Sequence, residues 1–264
     1  MGLDIYTLSV ANYMTPYPIK TSKAATFGDA ANLMANHGIG NLVVTHTKNP
    51  VGIVTERELI QCAALWPSDF YDKQLSKVGY QKFTRIDPTM SVLKAAKTMI
   101  RKKTRLLVFD GAKMVGIITA SDMLRAFRKA DDSPKLDKVI STKLFRCSQE
   151  DSVLTAINMM NQKKIGSVLV GNKNTGIFTE RDLLVHVFAN NIDLSSPVGG
   201  YATYPLITAR YGISALEAAS IMAQNNTKRL GLTRKGVVIG MVTARDIIDA
   251  YQSTYPTSDP YLEK

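Results

Sequence analysis

Gly52-Ile53-Val54-Thr55-Glu56-Arg57-Glu58 closes an apolar run, and the chain repeats the pattern three more times. The other copies are Gly116-Ile117-Ile118-Thr119-Ala120-Ser121-Asp122, Gly176-Ile177-Phe178-Thr179-Glu180-Arg181-Asp182 and Gly240-Met241-Val242-Thr243-Ala244-Arg245-Asp246. The threonines are separated by 64, 60 and 64 residues, so copies one and three, like copies two and four, lie 124 residues apart. A pair of unlike repeats, itself duplicated, produces that spacing. A unit of about 60 residues is marginal as an independent core, so the units are expected to pair.

Working outward from each motif, the same elements recur. Upstream lie four apolar stripes at i, i+3, i+4, i+7: Phe27, Ala30, Ala31, Met34; Val92, Ala95, Ala96, Met99; Val153, Ala156, Ile157, Met160; and Ala215, Ala218, Ala219, Met222. That period predicts helices with one face in a core. The methionines read as core filler. Strands follow at Asn41–Thr45, Leu106–Asp110, Ser167–Val170 and Leu230–Thr233. Second strands run into the motifs at Gly52–Val54, Val115–Ile118, Gly176–Phe178 and Val238–Val242. Second helices are predicted over Glu58–Ala64, Asp122–Arg128, Asp182–Phe188 and Asp246–Tyr251. The fold class is therefore α/β (α+β), with four β-α-β-β-α repeats at 1–65, 75–130, 135–190 and 195–252, paired as modules 1–132 and 133–264. Asp131-Asp132-Ser133-Pro134 is the expected boundary, and Trp66 is expected to pack under the long connector that follows it.

Composition bounds the function classes. Apolar residues make up 45% of the 264, enough for real cores, and no apolar run has the ~18 residues of a membrane helix. The N-terminus lacks a leader pattern, and two cysteines, Cys62 and Cys147, make no disulfide framework. A cytoplasmic, reducing setting is the expectation. The net charge of +11 is spread over both halves and favours anionic partners. In the densest cluster, Arg101-Lys102-Lys103-Thr104-Arg105, the first three residues read mainly as a solvated helix end, where cations also complement the dipole, and Arg105 is set apart from that reading. His37, His46 and His186 lie apart without metal-ligand spacing, and no phosphate-binding glycine loop occurs. No metal or catalytic residue is predicted.

The motif itself has two readings. Thr followed three residues later by an acid, where a strand becomes a helix, is a capping box. The same corner offers free N–H groups to a phosphate, a threonine hydroxyl to a phosphate oxygen, and a carboxylate to a ribose diol. Arg105 and Arg229, at matching places before the first core strand, would offset phosphate charge. Copies one and three place Gly40-Asn41 and Gly166-Ser167 there, leaving room for a flat base.

These residues resemble the cystathionine-β-synthase (CBS) domain family, from about Val10 to about Tyr251. The motifs, the helices and strand pairs in register with them, and the opening segments Val10–Thr15 and Val139–Thr142 carry the resemblance. It implies two Bateman modules stacked as a disc. It also implies regulatory binding of adenosine-containing ligands (AMP, ADP or ATP, with S-adenosylmethionine as an alternative) and a signal passed to a protein partner. The γ subunit of AMP-activated protein kinase is similar in having four such repeats. By that resemblance Thr119 and Asp122 would face Ile19, Lys20 and Thr21. Thr179 and Asp182 would face Leu206, Ile207 and Thr208, and Thr243 and Asp246 would face Phe145, Arg146 and Cys147. Thr55 would face Arg85 and Ile86, but Glu58 replaces the ribose-binding Asp and sets its carboxylate about 1.5 Å further out. That cleft is expected to be weak or empty. A homodimer is a further expectation, and nucleic-acid binding, prompted by the charge, is the competing class. No catalytic domain fits beside the repeats, so an enzyme is not expected.

Overall fold

The computed structural model describes residues 3–131, 133–172 and 175–255. Met1, Gly2 and Asp132, which entered the readings of the N-terminus and the central boundary, lie outside them. Four repeats with one element order are present. The first has β1 (Lys20–Ser22), α1 (Phe27–Asn36), β2 (Asn41–His46), β3 (Asn49–Thr55) and α2 (Glu56–Leu65). The second has β4 (Phe83–Ile86), α3 (Val92–Lys102), β5 (Arg105–Asp110), β6 (Lys113–Ile118) and α4 (Ala120–Phe127). The third has β7 (Arg146–Cys147), α5 (Val153–Lys163), β8 (Ser167–Val170), β9 (Gly176–Thr179) and α6 (Glu180–Asp182). The fourth has β10 (Thr208–Arg210), α7 (Ala215–Gln224), β11 (Arg229–Arg234), β12 (Val237–Thr243) and α8 (Ala244–Thr254).

In every repeat the lead strand runs parallel to the next strand, which pairs antiparallel with the strand entering the motif. A parallel pair needs a crossover, and the helices α1, α3, α5 and α7 supply it. All sixteen stripe residues are buried, none exposing more than 5% of its surface. The third repeat departs from the predicted continuous helix. Its α6 opens into a π-turn at Leu183–Val187 and a 3-10 turn at Phe188–Asn190. The Phe188 ring centroid there lies 5.0 Å from that of Phe27. Trp66 is not packed away: it caps α2, stays 36% exposed and carries Lys73 Nζ 5.5 Å above its ring.

The chain folds into two compact units, each built from alternate repeats. One comprises residues 1–18, 83–143 and 207–264, the other 19–82 and 144–206. The predicted pairs 1–132 and 133–264 are thus each divided between them. In the first unit α8 packs on α3, α4 and α7, and Phe127 stacks on Tyr251 at 4.3 Å. In the second α2 packs on α5, Phe27 meets Phe70 and Phe188 edge-to-face, and Phe70 and Phe188 are tilted against each other. Among the described residues no helix is long and apolar enough to cross a membrane.

Each motif glycine has a tertiary reason. In the first unit Thr15–Pro16 pairs antiparallel with β6, and Ser141 bridges Met241 of β12. In the second, Gln81 bridges Ile53 and Thr203 bridges Ile177. The chain leading into one repeat is thereby laid across the motif strand of its sequence neighbour. A Cβ on Gly52 would sit 2.2 Å from the Tyr80 ring and 2.9 Å from the Gln81 carbonyl oxygen. On Gly116 it would meet Met14 Sδ at 2.6 Å, on Gly176 the Tyr204 ring at 2.4 Å, and on Gly240 Ile140 Cγ2 at 2.8 Å. Glycine inside a strand here marks close approach of another segment.

Candidate functional site

Each motif forms a capped corner. Thr55, Thr119, Thr179 and Thr243 all have extended backbone, with φ between −124° and −114°, as N-caps of the following helix. The acid three residues on turns back to its own threonine. The backbone N–H donates to the carboxylate at 2.8 Å in copy one and 2.7 Å in the others. The threonine hydroxyl donates to the same oxygen at 2.5, 2.8, 2.7 and 2.8 Å in chain order. The hydroxyl hydrogen is thus committed to the carboxylate, and a phosphate would have to draw it away. Glu58 makes the same cap as the three aspartates, because its longer arm folds back over the first turn. The extra methylene therefore does not simply displace the carboxylate outward.

The copies differ at the second carboxylate oxygen. In copy one Gln81 Nε2 donates to Glu58 Oε1 at 2.6 Å. In copy two Asp122 Oδ1 accepts from Arg125 at 2.8 Å and from Thr15 Oγ1 at 3.4 Å. In copy three Asp182 Oδ1 accepts from Thr203 Oγ1 at 2.9 Å, with His186 Nε2 at 4.0 Å. The donors Gln81, Thr15 and Thr203 all come from the crossing segments, and a longer acid in copy one meets a longer amide. Ser141 holds the corresponding bridge position in copy four. Among the described residues, Asp246 Oδ1 has no hydrogen-bond partner. Burial raises the Asp246 carboxyl above its ordinary pKa, against the lowering effect of the two Thr243 bonds. Glu58, Asp122 and Asp182 are buried, whereas Asp246 is half-buried. Sequence reasoning missed Thr15, Gln81, Thr203 and Arg125. The available signal was the motif glycine, which marks where a segment must cross.

The surroundings also differ by unit. Copies one and three follow threonine with Glu-Arg, and these residues interlock. Arg57 lies 3.2 Å from Glu180, and Arg181 lies 3.9 Å from Glu56. Arg57 also donates to the Lys164 carbonyl at 3.2 Å and Arg181 to that of Gly38 at 2.7 Å. The space beside Gly40, predicted to be open for a base, holds the Glu56 carboxylate 2.8 Å from where a Cβ would stand. Copies two and four carry Ala120 and Ala244 instead. There Arg229 pairs in register with Thr243, and Arg105 directly precedes the Leu106–Ile118 pair.

The predicted lead-strand residues occupy their own sheets. Lys20 and Thr21 pair with Val43 and Val44, and the Ile19 carbonyl accepts from Val43 N–H at 3.0 Å. The Phe145 carbonyl accepts from Leu169 N–H at 2.9 Å, and Cys147 is buried. Leu206 is buried, the Ile207 carbonyl accepts from Gly231 N–H at 2.9 Å, and Thr208 pairs with Gly231. Arg85 and Arg146 donate to the hairpin carbonyls of Gly111 and Gly171 at 3.1 and 3.0 Å. Arg85 also stacks 3.8 Å above the Phe109 ring centroid, and Ile86 is buried. The structure thus brings each threonine to its acid and Arg229 to its register position beside Thr243.

Four α/β repeats, each with a capped strand-to-helix corner, define the class of protein. The CBS domain profile matches residues 10–64, 80–129, 136–189 and 198–253, and the chain belongs to the CBS domain family. The MJ1404 protein of Methanocaldococcus jannaschii is 25% identical over 260 residues, 90% of this chain and 61% of that protein. The MJ1225 protein of the same archaeon is 26% identical over 191 residues, 64% of this chain and 68% of that protein. The crystal structure of MJ1225, described as a candidate archaeal homologue of γ-AMPK, matches with a TM-score of 0.75. It covers 92% of this chain and 99% of that one at 16% identity, a likeness of fold.

Proposed function

We propose that this chain is a regulatory module that binds an adenosine-containing ligand at its Thr–acid corners and signals through a protein partner. The observation that carries the reading is the fourth corner. There the half-buried Asp246 bonds Thr243 through Oδ2 and keeps its other carboxylate oxygen clear of the described residues, and Thr243 pairs in register with Arg229. A ribose hydroxyl can donate to that accessible oxygen, the arginine offsets phosphate charge, and the threonine hydroxyl turns from carboxylate to phosphate. The likeness of MJ1225, with its description as a candidate γ-AMPK homologue, supports the same class. The chemistry shared by AMP, ADP, ATP and S-adenosylmethionine is the adenosine, so a thermal-shift series with all four and NADH is the test. A ligand at 100 times its Kd adds about 2.7 kcal/mol. We expect a shift that Asp246→Ala reduces. No shift with any of the five overturns the reading.

A further inference from the structure

The four repeat helices α1, α3, α5 and α7 bury equivalent stripes, which makes each a control for the others. Their outward positions differ sharply in charge. Aligned on the stripes, α1 offers Asp29, Asn32, Asn36 and His37. The helix α5 offers Thr155, Asn158, Gln162 and Lys163, and α7 offers Glu217, Ser220, Gln224 and Asn225. On α3 the same four places are Lys94, Lys97, Arg101 and Lys102, and no acid occurs anywhere in that helix.

Arg101 and Lys102 sit in the last turn, where the helix dipole welcomes cations. Lys94 does not share that explanation. It stands at the third position of the first turn, where the dipole favours an anion. In α1 and α7 the acid there, Asp29 or Glu217, closes a capping box. The helix α3 keeps only the Ser91 hydroxyl accepting from Lys94 N–H at 3.3 Å. Local stability would place an acid at 94, and the chain places a lysine. Among the described residues Lys94, Arg101 and Lys102 form no ion pair. With Lys97 and Thr98 they line a shallow hollow of about 360 Å³.

We propose that this face of α3 is a docking surface for an acidic helical segment of a partner protein. The cations rise along the axis by about 4.5 Å from Lys94 to Lys97 and about 6 Å from Lys97 to Arg101. Carboxylates at i, i+3 and i+7 of a facing helix repeat the same intervals. The hollow is lined by cations and one threonine. It therefore lacks the aromatic platform on which single-stranded nucleic acid stacks. The proposal needs no ligand at the Thr–acid corners.

The test uses the full chain and a fluorescein-labelled alanine-based helical peptide with Glu at i, i+3 and i+7, with labelled poly-U RNA as the second probe, by fluorescence anisotropy. Lys94→Glu/Lys97→Glu/Arg101→Glu is compared with Lys129→Glu/Lys135→Glu/Lys138→Glu, which changes net charge equally. We expect affinity for the acidic peptide to fall about tenfold or more in the first variant and about threefold or less in the second. Lys94→Glu alone separates docking from folding. It restores a capping acid, so its unfolding midpoint should rise while its affinity falls, a combination a merely structural lysine does not give. Equal losses in the two triple variants reduce the effect to net charge and overturn the proposal. So does RNA held on this face more tightly than the acidic peptide.

Discussion

Replacing Gly52 by alanine tests whether the crossing segments organise this fold. The new Cβ would stand 2.2 Å from Tyr80 Cδ2, 2.9 Å from Tyr80 Cε2 and 2.9 Å from the Gln81 carbonyl oxygen. The ring can rotate away, but the carbonyl cannot, because it accepts from Ile53 N–H at 2.9 Å while Gln81 N–H donates to Ile53 at 2.8 Å. Relief therefore requires lifting the segment off β3, which also draws Gln81 Nε2 from Glu58. Overpacking costs about 1–3 kcal/mol, and each hydrogen bond weakened adds about 1 kcal/mol. The expected destabilisation is about 2–5 kcal/mol, with faster hydrogen exchange at the Gln81 amide. Gly116→Ala should cost less, since its nearest neighbour is the flexible Met14 Sδ and the Thr15 carbonyl is 3.0 Å away. Gly200→Ala is the control, because nothing lies within 4 Å of its Cβ position. Urea unfolding and exchange at Gln81 read the outcome. A Gly52→Ala loss below about 1 kcal/mol with unchanged Gln81 protection would refute the argument that the glycine exists for the crossing.

Three further outcomes follow from the same geometry. Glu58→Asp should keep the Thr55 cap but lose Gln81. A double-mutant cycle with Gln81→Ala should then show a coupling of about 1–2 kcal/mol, and a coupling near zero would disprove the contact. The Asp246 carboxyl titrates above its unfolded value because burial disfavours its charge. Its contribution to stability is full below the unfolded pKa and is lost as pH rises through the folded one. Asp246→Asn should therefore gain on the wild type as pH rises across that interval, measured by unfolding midpoints at a series of pH values. Cys62 and Cys147 are free and buried, and desolvation pushes both thiols to about 11. At pH 8 about a thousandth is thiolate, so a thiol reagent should label both cysteines on unfolding and neither beforehand.

The sequence by itself determined what depends on a few neighbouring residues. Helix stripes repeat within seven positions and capping boxes within three, so the four repeats, their cores and all four Thr–acid contacts were legible. The family was legible too, since four motifs in one register leave little freedom. Glu58 shows where local reading stops. As a lone substitution it looked like a displaced ligand; in the structure it is a cap whose second oxygen meets Gln81, 23 residues away. Asp122 likewise meets Thr15 across 107 residues, and Asp182 meets Thr203 across 21. Only the tertiary structure decided these partners, the joining of alternate repeats in each compact unit, and the filling of the space beside Gly40 by Glu56. The physical reason is that periodicity says which face a residue presents, whereas chain crossings decide what it meets. The repeated glycine was the one local mark of such a crossing, and its meaning lay in the segment laid over it.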